Sequence, residues 1–263
     1  MIEHALATYR QRALIFELAR NDFRARYTGS LLGVTWAFAQ PVLTIVLYLF
    51  IYQVGFRSQP PGEAPFVLWL IVGLSPWFFF IDALSGATSA LVEYSFLVKK
   101  IVFEVTILPT IKLVSAAFIH VVVWAVVLVI LTATGYPPRL SWLQVPYYFF
   151  ATYALVNGIA LFTAAVTPFF RDMIQVVVVG LQFAFWLTPI LWPIANAPPR
   201  LARVLELNPV HYVIQGLREA LLLGKPLWAH PVLTLWFWGL VLLTNLVGLA
   251  LFRRLRPHLP DVL

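Results

Sequence analysis

The chain contains no cysteine, which excludes disulfides, thiolate metal sites and a cysteine nucleophile. Charge is also scarce: Asp, Glu, Lys and Arg make up 11% of the 263 residues, against roughly 25% in soluble domains. No G-x-x-x-x-G-K-S/T phosphate loop is present; Gly224-Lys225 runs into Pro226 and lacks the upstream glycine, so the chain is not expected to cradle ATP itself. The five histidines, His4, His120, His211, His230 and His258, have no H-E-x-x-H spacing, so no metal site is expected. The acids are isolated, without the clustered carboxylates that hold Mg²⁺ in membrane enzymes acting on prenyl phosphates. The first 33 residues show no short apolar core before a small-residue cleavage site, and no removable signal peptide is expected. An ordinary soluble enzyme is excluded.

Apolar residues are abundant: 61% of the chain is hydrophobic, with ten Trp, ten Tyr and 21 Phe. That surface exceeds what one core of this length hides from water, so a bilayer is the expected solvent. The net charge of +7 does not indicate nucleic acid, because the basic residues punctuate apolar blocks instead of forming a stripe. Crossing roughly 30 Å of hydrocarbon takes about 20 apolar residues. Six stretches reach that length: Val34 to Gly55, Phe66 to Ala90, Leu113 to Leu131, Val145 to Val166, Ile174 to Trp192 and Pro231 to Phe252. The third helix is expected to begin earlier, near Val105, with Pro109 in its first turn and Lys112 snorkelling to the interface.

With the N-terminus in the cytoplasm, inside segments hold eleven Lys and Arg and outside segments six, which favours both termini inside. The expected fold class is an all-α polytopic membrane protein with six transmembrane helices, an N-terminal interfacial amphipathic helix and a re-entrant outer hairpin between helices five and six. The parts are a cytoplasmic arm over residues 1–33, a six-span domain over 34–252 and a cytoplasmic tail over 253–263. The amphipathic helix is read over Arg10 to Arg26, with Leu14, Ile15, Leu18, Ala19 and Phe23 supplying an apolar surface beside Arg20 and Arg24; Gly29 and Gly33 hinge it to the first span. The connection 91–104, LVEYSFLVKKIVFE, is too short for a domain and mixes apolar with charged residues, as a segment gripped by a partner would. In the segment 196–230, Asn208 suits an N-cap, Pro209 the first helical position and Gly224 a helical stop, which together frame an amphipathic helix of about four turns. It is too short to cross, and with Pro198-Pro199 it reads as a hairpin dipping back into the outer leaflet.

Ionisable groups within spans are functional hypotheses by default. Asp82 and Lys112 each lie about two turns from the inner ends of spans two and three, so an ion pair between them is expected; a proton relay is the alternative reading. His120 reads as a packed, hydrogen-bonded core residue. Most aromatic residues near span ends suit interfacial belts. Phe183, Phe185, Trp186 and Trp192 differ because several lie mid-span, in a segment bounded by Thr188-Pro189 and Pro193: rings facing a passage stack on sugar faces, rings facing lipid only pack, and both readings stand.

The run from Leu18 to Tyr48, with Arg24-x-Arg26-Tyr27, Ser30, Leu32-Gly33, Trp36 and Pro41, resembles the N-terminal signature of ABC-2-type permeases that export lipid-linked polysaccharides. GLSPWFFF, LVEYSFLVKKIVFEVTILP, FFRDM, TPILWP and LNPVHYVIQGLREALLLG follow in the family's order. Residues 142–158 and the C-terminal RRLRPHLPDVL look most like wall teichoic acid permeases, with O-antigen and capsule permeases as close relatives.

The resemblance implies a permease in a bacterial cytoplasmic membrane, not an enzyme: a homodimer with two copies of a separate ATPase subunit, which carries ATP and Mg, while this chain binds no cofactor. The cargo would be an undecaprenyl-diphosphate-linked polymer, wall teichoic acid first and O-antigen or capsule polysaccharide as the alternative; membrane lipid is a further partner and nucleic acid is not. Residue by residue, Glu93, Tyr94, Phe96, Leu97, Lys99 and Lys100 would couple to the ATPase, and Arg20, Arg24, Arg26 and Tyr27 would form the interface helix and headgroup entry. Trp36, Phe183, Phe185 and Trp186 are candidates for the translocation path, and Asn208, His211, Tyr212 and Arg218 for an outer gate. A secondary transporter using Asp82, Lys112 or His120, and a membrane enzyme, are the competing classes.

Overall fold

The computed structural model describes residues 10–29, 31–55, 64–98 and 104–263, and all regular structure among them is helical. Helix α1, Arg12–Tyr27, buries Ile15, Ala19 and Asp22, which recur at i, i+4 and i+7 on one face. Gly29 and Gly33 adopt φ of 88° and 51°, left-handed values that break the helix before α2, Thr35–Leu49. Helix α2 continues as a wider π-helical turn, Phe50–Gly55, and has no buried residue.

The central post is α3, Phe66–Glu93, 28 residues long and about 42 Å at 1.5 Å per residue. Around it stand α4, Leu108–Ala133, and α5, Val145–Val166; α9, Pro231–Leu255, packs on α5. As expected, a short 3₁₀ turn at Val105–Ile107 precedes α4 and Pro109 sits in its first turn. The α5–α9 seam is made by small residues, because lipid offers no hydrophobic drive and helices must instead approach closely. A Cβ on Gly158 would meet the Asn245 amide, and one on Gly248 would meet the Gly158 carbonyl. Asn157 donates to the Asn245 side chain at 2.9 Å across the same seam, and Asn245 donates to the Ala154 carbonyl at 2.8 Å. A second polar clasp, Thr88 to Thr163 at 2.9 Å, joins α3 to α5.

Among the described residues five helical stretches are long and apolar enough to cross a membrane: Thr35–Gly55, Phe66–Glu93, Val105–Ala133, Leu140–Val166 and Pro231–Val262. The stretch expected to span from Ile174 to Trp192 forms a shorter helix, α6, Met173–Leu187, of 15 residues or about 22 Å. It ends because Thr188 precedes Pro189 and is driven to an extended conformation, φ −82° and ψ 132°. From there the chain folds back through α7, Pro199–Glu206, and α8, Pro209–Arg218, the latter extended by a π-helical turn, Glu219–Leu223. Asn208 caps α8, its side chain accepting from the Val210 amide at 2.9 Å, and Gly224 ends it at φ 70°.

Two cores result. The larger surrounds α3, α5 and α8, with Trp77, Phe79 and Phe237 fully buried. The smaller gathers Ile15 and Ala19 of α1 with Leu91, Ile107, Leu108, Ile111 and Phe252 at the opposite end of the bundle.

Candidate functional site

Helix α1 lies against α4 and brings charge to the end of the bundle. Lys112 Nζ is 2.6 Å from Asp22 Oδ1 and 2.5 Å from Glu93 Oε2, and the Tyr94 hydroxyl donates to Asp22 Oδ1 at 2.7 Å. The Lys112 ammonium also stands 5.1 Å from the centre of the Tyr94 ring. Four elements thus meet at one buried cation: α1, the end of α3, the turn after it and α4. Burial pushes the Asp22 pKa up, but the hydrogen bonds from Lys112 and Tyr94 outweigh it and hold the carboxyl below its usual range. The same bond to Asp22, added to burial, raises the Tyr94 hydroxyl above its ordinary value.

The expected Asp82–Lys112 pair does not form. Asp82 instead accepts from Arg26 Nη1 at 2.7 Å, and Arg26 Nη2 lies 3.6 Å from Asp22. The physical reason is α1, which inserts Asp22 and Arg26, one turn apart, between the two spans so that each intramembrane charge finds a partner on the amphipathic helix. Burial pulls the Arg26 pKa down, while the Asp82 and Asp22 carboxylates carry it above its usual value.

The Arg26–Asp82 pair closes one end of a groove of about 790 Å³ bounded by α1, α2, α3, α4 and α6. Its walls are aromatic. Phe185 stacks on Tyr48 at 5.7 Å between centroids and leans on Trp77 at the same distance, and Trp36, Phe78 and Trp186 complete the surface. Gln40, Thr44, Ser85 and Gln182 supply hydrogen-bonding groups between the rings. His120 also faces the groove; its Nδ1 lies 2.9 Å from the Ala116 carbonyl and its ring packs edge-on to Phe79. Trp36, Phe185, Trp186, Arg26 and Tyr27 therefore come together. Phe183 does not: it is exposed on another side of α6 and lines no part of the groove. Gln40, Tyr48, Trp77 and Gln182 were not singled out in the sequence, because helical periodicity does not tell which face of a wholly apolar span meets a void.

In the connection after α3, Ser95–Val98 forms one helical turn; Leu97 packs on the smaller core and Phe96 is exposed. Lys99 and Lys100 lie outside the described residues, as does Ser30. Arg20 and Arg24 are exposed on α1. At the far end of the bundle, Arg218 is buried and donates to the carbonyls of Trp69, Pro189 and Ile190 at 3.2, 3.0 and 2.6 Å, its guanidinium 3.4 Å above the Trp69 ring. It thereby satisfies carbonyls freed where α6 breaks. The backbone of Gly73 touches this guanidinium, and any Cβ there would collide with it. Asn208 donates to Thr188 Oγ1 at 2.9 Å, and the Tyr212 hydroxyl meets those of Tyr147 and Thr234, each at 3.0 Å. His211 is buried beside them. Asn208, Tyr212 and Arg218 thus fasten the hairpin to the bundle.

The family model described as ABC-2 type transporter matches residues 13–222. The chain belongs to the ABC-2 type transporter family. Among curated proteins it is similar to an O-antigen export system permease protein of Klebsiella pneumoniae, 26% identical over 251 residues and 95% of each chain. A protein of the same description from Myxococcus xanthus is 30% identical over 212 residues, 80% of each chain. A polysialic acid transport protein of Escherichia coli is 24% identical over 249 residues, 92% of this chain and 93% of the relative. The family match takes in α1, the buried charge cluster, the groove and the hairpin as far as Leu222, so the chain is a multi-pass membrane protein of that transporter family.

Proposed function

We propose that this chain is the membrane subunit of an ATP-driven exporter that moves a lipid-linked bacterial cell-surface polysaccharide, of the O-antigen or capsule kind, from the cytoplasmic to the outer face. The observation that carries the reading is the groove: an arginine–aspartate pair at one end, aromatic walls and scattered amide and hydroxyl groups. Carrying a hydrated chain through hydrocarbon unaided means stripping water from many polar groups at several kcal/mol each. Aromatic faces pack against the apolar faces of sugar rings while amides and hydroxyls replace water. Arg26, at the mouth, is oriented by Asp82 and keeps further N–H donors for a diphosphate headgroup, whose lipid tail stays in the bilayer.

Two features support a homodimer. Helix α2 has no buried residue, and Val176, Val179, Phe183 and Trp186 of α6 are exposed, so both helices offer apolar surface to a second copy and place the groove near that seam. The ATPase is a separate subunit that grips the connection from Glu93 to Lys100 together with α1, with both termini in the cytoplasm as the eleven-to-six distribution of basic residues favours. Lys112 then ties the gripped segment to a spanning helix, and closure of the ATPase rocks the bundle about that joint. Wall teichoic acid, expected from residues 142–158 and the C-terminal tail, is the less supported cargo, since the relatives described above carry O-antigen and polysialic acid names.

The test is co-expression with candidate ATPase subunits and purification in mild detergent. A complex of two permeases and two ATPases whose ATP hydrolysis rises with one lipid-linked polymer supports the reading. A folded chain that recruits no ATPase overturns it.

A further inference from the structure

A second cavity, of about 260 Å³, opens at the end of the bundle remote from Asp22, between α5, α8 and the start of α9. At ~30 Å³ per water it has the room of roughly nine water molecules, enough for one sugar ring and too little for a chain. We propose that this cavity binds a single uncharged pyranose residue of the exported polymer, and that it selects sugar over polyol phosphate. The inference rests on the polysaccharide reading above and names the substrate class that reading leaves open.

The wall is built and rigid. The Tyr148 ring lies so close against Gly216 that a Cβ there would collide with it, and Gln144 donates to the Lys225 carbonyl at 2.9 Å across the mouth. Glu219 is buried and already satisfied: Gln215, Lys225 and His230 approach its oxygens at 3.2, 3.2 and 2.9 Å. That leaves a distinct set of unused groups. Among the described residues the Glu206 carboxylate, which lines the cavity, has no hydrogen-bond or ion-pair partner, and the side-chain amide oxygen of Gln215 accepts no hydrogen bond. His211 lines the same wall, is 95% buried, and its Nδ1 has no hydrogen-bond partner. That nitrogen is itself closed off from the cavity, so the imidazole meets a ligand as part of the wall and the hydrogen bonding falls to Glu206 and Gln215.

These groups fit a sugar ring. A carboxylate and an amide oxygen accept from adjacent hydroxyls, while the imidazole and tyrosine rings line the wall. They do not fit a phosphate. With Lys225 spent on Glu219, the free charge of the cavity is the Glu206 carboxylate, which repels a second anion.

The test is ligand-observed NMR on the full chain in lipid nanodiscs. The probes are methyl pyranosides of glucose, galactose, mannose and N-acetylglucosamine, with glycerol 3-phosphate as the anionic comparison. At least one pyranoside is expected to saturate the protein, with glycerol 3-phosphate showing no saturation. Glu206→Ala, an exposed change that touches no other group, and Gln215→Met are each expected to weaken pyranoside binding about fivefold, as loss of one hydrogen bond would. Saturation by glycerol 3-phosphate alone, pyranoside binding unchanged in both variants, or no binding by a chain that melts normally would each overturn the proposal. Absent pyranoside binding with an ATPase still copurifying defeats this inference alone. Pyranoside binding by a chain that recruits no ATPase defeats the export reading alone.

Discussion

The Lys112 ammonium lies 2.6 Å from the Asp22 carboxylate, 90 residues earlier in the chain, and both side chains are about 7% exposed. Removing one partner of such a pair strands a charge away from water, which costs about 3–5 kcal/mol. Lys112→Met is therefore expected to lower the melting temperature sharply, and Asp22→Leu in the same chain to restore most of it, because the buried pair is then neutral, Glu93 is half exposed to water and Arg26 keeps Asp82. If the lysine also transmits motion from the Glu93–Tyr94 segment, the restored double variant hydrolyses ATP with its partner but exports little. ATPase and export measured side by side separate the two roles.

The acid response of the same pair has a defined sign. Asp22 has a folded pKa below its unfolded value of about 3.9, so its contribution to stability is complete above that value and disappears as the pH falls through the lower folded one. Melting temperature should carry no dependence on this group between pH 5 and 8 and should drop below about pH 4. Asp22→Asn is expected to shrink that drop, which a melting series against pH would record.

Gly73 and Arg218 form the corresponding joint at the other end. Gly73→Ala forces a methyl group into the guanidinium, an overpacking expected to cost about 1–3 kcal/mol. Arg218→Met leaves the carbonyls of Pro189 and Ile190 without their side-chain donor and is expected to loosen the hairpin, read as faster hydrogen exchange in residues 199–223 than in α5.

Within the groove, Phe185→Ala removes a ring that stacks on Tyr48 and leans on Trp77. Loss of one aromatic contact is worth about 0.5–1.5 kcal/mol, so apparent polymer affinity should weaken several-fold with basal ATP hydrolysis unchanged, and Phe185→Tyr should retain it. Phe183→Ala, outside the groove, is expected to leave polymer affinity alone. Polymer titration of ATP hydrolysis checks all three.

The legible parts of this fold were those set by neighbours in the chain. Asn208, Pro209 and Gly224 cap, start and stop α8 by local geometry, and the five longer spans follow from apolar length alone. The early end of α6 was also written locally, in Thr188-Pro189, but the apolar run to Trp192 obscured it. Asp22 was legible and overlooked: it shares a helical face with Ile15 and Ala19, so the burial of that face carries it inward. Without Asp22 and Arg26 in view, Asp82 and Lys112 looked like each other's partners. The groove was not legible beyond its aromatic inventory, since helices α2 and α6 carry only a few scattered polar residues and only their packing decides which rings converge.

Transport itself is the most direct test of the central claim. Permease and ATPase reconstituted in proteoliposomes, with lipid-linked polysaccharide labelled on its sugar, should show ATP-dependent movement of label from the ATPase side to the opposite side: an impermeant glycosidase added on the ATPase side cleaves the label before ATP is added and no longer reaches it afterwards. The account predicts that movement, and its loss in Lys112→Met/Asp22→Leu with ATP hydrolysis intact. Label that stays on the source side while a correctly assembled complex hydrolyses ATP would contradict it.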